Sequence, residues 1–357
     1  MPLMRVSRCS FKPLPGRQPF ILRMKRLLIR LAALFGVILL STIGALTWYA
    51  GRPLTLQQPV VDFTVQRGFT MRQAAAAIAR AGVDVQPDLL YWIARLGGKA
   101  ALIKAGSYEV HAGVTPWQLV LKLSAGDVSQ GEVLFVEGWN FRQVREALEN
   151  HPYLQPDTRG LSEEEIMRRI GAGESRAEGL FFPDTYLFDK QSSALAVLRR
   201  AYVAMQQRLA AAWESRDPAL PLASPYELLV LASIVEKETG RAEDRGLIAS
   251  VFANRLRIGM RLQTDPTVIY GLGTAFDGRL RRRDLDTDHP WNTYTRAGLP
   301  PTPIAIPGRD SLQAAVRPAK TDYLYFVSRG DGTSVFSRTL EDHNRAVDRY
   351  QRNGKGS

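Results

Sequence analysis

Three stretches of the chain share one pattern of apolar and polar positions. Each is a short alternating run, then a glycine, then a polar residue that opens an amphipathic run with helical spacing. The first begins Phe63-Thr-Val-Gln-Arg-Gly68-Phe-Thr70 and continues to Ile78. The second begins Tyr108-Glu-Val-His-Ala-Gly113-Val-Thr115-Pro116 and continues to Leu123. The third begins Leu134-Phe-Val-Glu-Gly138-Trp-Asn140 and continues to Leu148. A glycine two residues before Thr or Asn predicts a turn followed by a helix N-cap. Pro116 falls at the first helical position, where its missing N–H costs nothing. Period-two positions followed by helical spacing predict small βα units packed as an α+β module over residues 60–150. The unequal intervals exclude a regular solenoid.

Ahead of this module, Leu31–Ala50 carries no charge at all. Twenty helical residues span about 30 Å, the thickness of a bilayer core. Trp48 and Tyr49 at its far end suit the headgroup layer, and the basic flank in residues 1–30 places the N-terminus in the cytoplasm. Residues 52–357 are then expected outside. A cleaved signal has a shorter apolar core and a small-residue site, so this run reads as a retained transmembrane helix. Arg52–Pro59 reads as a short linker.

Beyond residue 151 the pattern changes to longer elements. Leu161–Ile170 reads as a helix capped by Ser162, and Ser193 to about Trp213 as a long amphipathic helix. Ser224-Pro225-Tyr226-Glu227 has the layout of a capping box with proline at the first helical position. Tyr323–Ser328 and Thr333–Ser337 flank Arg-Gly-Asp-Gly and predict a hairpin. Helix returns from about Leu340 to Tyr350. The expected organisation is α+β: a basic tail (1–30), a transmembrane helix (31–50), the module of βα units (60–150) and a mixed α+β domain (151–350).

Composition narrows the partners. The 357 residues leave room for two or three domains. The net charge is +12, but residues 1–30 hold eight basic residues and no acidic one. The folded part is only mildly basic, so no nucleic-acid partner is expected. One cysteine, Cys9, excludes an internal disulfide framework, and four scattered histidines give no zinc pattern. No metal or other cofactor is expected.

Candidate chemistry begins at one helix end. Leu228–Val235 is apolar on nearly every face, which marks a buried helix. It runs into Glu236-Lys-Glu238-Thr-Gly240, with Gly240 read as the C′ residue. Glu236 shares a face with Ala232, Ser233 and Leu229. The negative end of the helix dipole and partial burial would both oppose its ionisation, as a general acid near neutral pH requires. The plainer alternative is a solvated, frayed helix end. Asn254-Arg255, Gln263-Thr264-Asp265, Tyr270 and Asn292-Thr293-Tyr294 follow, polar groups suited either to sugar contacts or to turns and caps.

These residues carry a resemblance. ASIVEKE (Ala232–Glu238), ANRLRIGMRLQTDPTVIYGLG (Ala253–Gly273), NTYTRAGLPPTPIAIPG (Asn292–Gly308), RPAKTDYLYFV (Arg317–Val327), His343-Asn344 and the upstream EGLFFPDTY (Glu178–Tyr186) together resemble the endolytic murein transglycosylases of the MltG/YceG-like family. The resemblance runs from about Met24 to Tyr350 and leaves out residues 1–23. It implies a bacterial inner-membrane, single-pass protein with a periplasmic LysM-like module and a YceG-type catalytic domain. It implies internal cleavage of nascent peptidoglycan glycan strands between N-acetylmuramic acid and N-acetylglucosamine, leaving a 1,6-anhydro end. The family's catalytic glutamate falls on Glu236. Gln263, Asp265, Asn292 and Tyr294 are the expected substrate contacts. Penicillin-binding synthases are the partners the resemblance suggests. Two other readings stay open from the residues: a non-catalytic wall-binding scaffold, and a conventional muramidase with a second carboxylate such as Asp265.

Overall fold

The computed structural model describes residues 20–352, with side chains from Met24 to Gln351. Most of the basic tail expected over residues 1–30 lies outside the described residues. The chain divides into two compact units that part between Ser129 and Gln130.

The first unit opens with helix α1 (Phe20–Gly51). From Met24 to Gly51 its mean hydropathy is 2.2, apolar and long enough to cross a membrane. The hydroxyls of Thr42 and Thr47 bond back to carbonyls one turn earlier, so neither leaves an unmet donor in the apolar run. There follow β1 (Val60–Val65), α2 (Met71–Arg80), α3 (Pro87–Leu96), β2 (Gly106–His111) and α4 (Pro116–Ala125). β1 and β2 pair antiparallel, with Phe63 opposite Tyr108. Ile78, Leu90, Tyr108, Leu119 and Leu123 fill the core, each completely buried. Thr70 and Thr115 cap α2 and α4 as the pattern predicted, and each forms a full capping box with a glutamine three residues on. Arg52–Pro59 is not a free linker. Leu54 is buried and its N–H donates to Val114 O at 2.8 Å, while Leu56 bridges Val83.

The second unit begins with β3 (Gln130–Leu134). This strand belongs to the third copy of the repeated pattern, which the sequence grouped with the first two. It pairs instead with β5 (Thr185–Asp189), far along the chain. Between them lie α5 (Phe141–Glu149), the two-residue β4 (Leu154–Gln155) and α6 (Glu163–Ile170). The short β6 (Ser192–Ser193) pairs with β4 in parallel and leads into α7 (Ala194–Glu214). Then come α8 (Pro225–Glu238), α9 (Ala242–Arg257), α10 (Asp265–Leu272), α11 (Arg282–Asp286) and α12 (Arg309–Val316). The predicted hairpin is β7 (Tyr325–Ser328) with β8 (Ser334–Ser337), and α13 (Leu340–Val347) follows. The core gathers on α8, whose residues Leu228–Val235 are all buried against α7, α9 and α12.

The mixed α+β class matches the expectation. Two local details differ. Ser224 caps α8, but Glu227 turns its carboxylate to the Ala223 N–H, so the box stays open. Helix α8 ends not on a left-handed Gly240 but on Thr239 in extended conformation.

Candidate active site

The buried helix α8 delivers its last turn to a junction of three segments. Ser233, fully buried, donates to Val230 O at 2.7 Å and accepts the Ile304 N–H at 3.0 Å. That bond lays the proline-rich segment 301–308 along the helix. The same segment pairs with the turn after β3: Gly138 N–H donates to Ile306 O at 2.9 Å, and Ile306 N–H to Trp139 O at 2.7 Å. Gly138 turns there at φ +77°. Lys237 closes the junction by donating from Nζ to Gly138 O at 3.2 Å.

Glu236 sits in this junction, half-buried, with Oε2 accepting the Gly308 N–H at 2.9 Å. Glu137 approaches the same glycine: a Cβ on Gly308 would lie 2.0 Å from Glu137 Oε1. Two carboxyls therefore abut one glycine that has no room for a side chain. Burial pushes the Glu137 carboxyl above its ordinary value, and the Glu236 charge adds to this. Arg245 opposes the shift and Asp310 reinforces it.

Glu238 faces a different cluster. Its carboxylate accepts the Thr264 hydroxyl, and burial pushes it up to about 7, with the Thr264 bond opposing and Asp265 adding. Tyr294 donates from its hydroxyl to Asp265 Oδ1 at 2.6 Å. Gln263 lies beside them, exposed and held at φ +50°, a left-handed conformation uncommon for this residue type. Of the expected substrate contacts, Asp265 and Tyr294 thus gather with Glu238 rather than with Glu236. Asp265 opens helix α10 rather than marking a mere turn.

Asn292 is completely buried. It donates to Leu285 O and Thr287 O and accepts the Tyr294 N–H at 2.8 Å, so it organises its loop. Asn254 and Arg255 also serve the fold: Asn254 bonds Thr321 O and Tyr323 O, and the buried Arg255 bonds Leu324 O and Leu262 O.

A cleft of about 790 Å³ opens beside the junction, lined among others by Gly138, Lys237, Glu178, Tyr270, Trp291 and Ile304. Tyr270 and Trp291 meet edge to face at 5.6 Å, and Trp291 Nε1 donates to Thr302 at 2.9 Å. Glu178 is 6% exposed, and its carboxyl accepts the Phe141 N–H at 3.1 Å. Burial pushes it up to about 7, against the bonds from Phe141 and the Tyr270 hydroxyl. Sequence reasoning singled out neither Glu137 nor Glu178 as a site residue. The available signal was a carboxylate set directly before a glycine within an apolar run, at Val136-Glu137-Gly138 and Glu178-Gly179-Leu180.

The YceG-like family model matches residues 63–349, most of the chain and both units. The chain belongs to the YceG-like family. Among curated relatives, this YceG-like chain is 30% identical over 312 residues to a protein of Bacillus subtilis named endolytic murein transglycosylase, covering 81% of the chain and 84% of that protein. It is 27% identical over 321 residues to a protein of the same name from Streptococcus pneumoniae, of which it spans 58%. Among solved structures, a putative yceG-like protein from Listeria monocytogenes matches with a TM-score of 0.53 and 28% identity, covering 80% of this chain and 98% of that one.

Proposed function

We propose that this YceG-like protein is an endolytic peptidoglycan lytic transglycosylase, with Glu236 as its general acid and base. The observation that carries the assignment is the junction at the end of α8. There a half-buried carboxyl is held by one backbone N–H, beside a cleft large enough for sugar rings. The names of the relatives supply the substrate class.

The reaction needs one carboxyl rather than the acid-and-nucleophile pair of retaining glycosidases. Glu236 gives its proton to the glycosidic oxygen as the bond from muramic C1 breaks. The C6 hydroxyl of the same sugar attacks C1, and its proton returns to Glu236 as the 1,6-anhydro bridge closes. The nucleophile is already tethered to the reacting ring, so proximity replaces an enzyme nucleophile. Tyr270 and Trp291 offer aromatic surface to the glycan. Gln263, Asp265 and Tyr294 are proposed to contact it further along, with Asn292 acting through the loop it holds. Helix α1 anchors the protein in the inner membrane with both units on the periplasmic side. The first unit serves as the LysM-like glycan-binding module, the second as the catalytic domain, and penicillin-binding synthases are the proposed partners.

One observation favours a second assignment of the acid. Burial raises the Glu238 carboxyl, two residues beyond Glu236, to about 7. Mass spectrometry of products separates the two. The full-length chain in detergent is incubated with uncrosslinked glycan strands, alongside Glu236→Gln and Glu238→Gln. Anhydro-muramyl ends are expected from wild type and from Glu238→Gln, and none from Glu236→Gln, a loss of at least about 100-fold. The reverse pattern moves the acid to Glu238. Reducing ends make the protein a muramidase, and intact strands make it a scaffold.

A further inference from the structure

Helix α1 enters the first unit before its apolar run has ended. Leu46, Tyr49 and Ala50 pack on that unit's core, and the Tyr49 hydroxyl accepts the Gln86 N–H at the start of α3. From there α3 runs to a groove of about 560 Å³ between α1 and the rest of the unit. Ile43, Leu46, Thr47 and Ala50 line one side of it. Leu96 at the end of α3 and Trp117 at the start of α4 line the other. Among the described residues, no charged side chain lines the groove.

We propose that this side of the first unit is seated in the membrane: the groove takes lipid acyl chains from the leaflet that α1 leaves, and Trp92 and Leu96 sit at that leaflet's interface. The proposal rests on the reading of α1 as the membrane anchor. An uncharged run that fills the hydrocarbon and ends at Ala50 puts Ile43 about 10 Å inside it. The groove that follows α1 from Ala50 to Ile43 then lies at the depth of lipid chains, and so does the wall that α3 and α4 supply.

The surface beside the groove has the matching chemistry. Trp92 is 46% exposed and Leu96 67%. They stand four residues apart on α3 and so share a face. Residues 91–105 carry Arg95, Lys99 and Lys104 and no acidic residue. The Arg52 guanidinium lies 5.6 Å over the Trp48 ring, a cation set at the end of the apolar run. Apolar side chains accompanied by cations alone fit the boundary between acyl chains and anionic headgroups. A groove made for another protein's helix has no need of that basic rim. Seated in this way, the first unit is held against the leaflet rather than swinging on a tether.

The test places a nitroxide at Ile38→Cys or at Leu96→Cys in the full-length chain carrying Cys9→Ser. Both positions are exposed, so neither label displaces core packing. The chain is reconstituted in vesicles of phosphatidylethanolamine and phosphatidylglycerol. Collisions of each label with oxygen, which partitions into lipid, are compared with those of a water-soluble nickel chelate. Oxygen is expected to dominate at both positions, with the Leu96 label about 5–10 Å below the headgroup boundary. A Leu96 label reached mainly by the nickel chelate, while Ile38 stays in lipid, overturns the proposal and leaves the anchor standing. A Leu96 label shielded from both reagents means that a second copy of the chain fills the groove, and overturns lipid as its occupant. An Ile38 label reached by the nickel chelate removes the reading of α1 as an anchor and the proposal with it.

Discussion

At the scale of single residues, the candidate site gathers carboxyls whose surroundings differ more than their sequence positions suggest. Glu178 shows how far burial alone can go. Its ordinary value of 4.5 rises to about 7 in the folded chain, so folding binds a proton there. That contribution to stability is complete below about pH 4.5 and is lost as pH rises through 7. From this group alone the protein should lose up to about 3 kcal/mol between pH 4.5 and 8. Glu178→Gln keeps an oxygen for the Phe141 N–H and carries no charge, so its stability should be flatter over that window. Urea unfolding of both proteins at pH 5 and pH 8 measures the difference, and equal slopes would refute the account. The residues also show what a sequence can hold. The half-buried position of Glu236 was legible because its helix announces its own burial. The place of Glu137 was not, because it arises from Gly138 pairing with Ile306, a contact between segments 168 positions apart that no local pattern encodes.

At the scale of elements, local chemistry was the most legible layer. The turn glycines at 68, 113 and 138 all adopt positive φ, and Thr70, Thr115 and Asn140 all cap helices. Asn140 Oδ1 accepts the Gln143 N–H and Gln143 returns a bond to the Asn140 N–H, each at 3.0 Å. Asn140→Ala should therefore cost about 1 kcal/mol in the urea unfolding of the second unit, a loss that Asn140→Ser should largely avoid. What the local pattern misplaced was the third strand. The sequence set it at Leu134 onward, but β3 ends at Leu134. Phe135 N–H makes one more bond, to Asp184 O, and the chain then peels away to pair with Ile306. Both stretches are extended and alternate, so pattern alone cannot say where one partner replaces the other. Gly240 failed for a related reason. Thr239 already leaves the helix as extended chain, and the glycine has no left-handed cap to fill.

At the scale of the whole molecule, the unit boundary and the N-terminal helix both depend on packing that composition does not reveal. Three similar copies suggested one module, yet strand pairing assigns the third to the second unit. Helix α1, long and apolar enough to cross a membrane, also takes part in the fold. Leu46, Tyr49 and Ala50 on its last turns pack against the core of the first unit, and the Tyr49 hydroxyl accepts the Gln86 N–H at 3.1 Å. The junction at Ala50–Arg52, which reads as the natural place to cut, thus falls inside the fold. A chain starting at Arg52 would lose this apolar cover and expose part of the core; one starting at Gly44 would keep it. Burial of a Leu and a Tyr side chain stabilises by about 1.5–3 kcal/mol each when complete, so half-buried groups give less. The Arg52 form should unfold at least about 2 kcal/mol more easily than the Gly44 form. Urea unfolding of the two truncated chains, followed through Trp117 at the edge of that core, measures the gap. Equal midpoints would mean that the helix end contributes nothing to the first unit and acts only as an anchor.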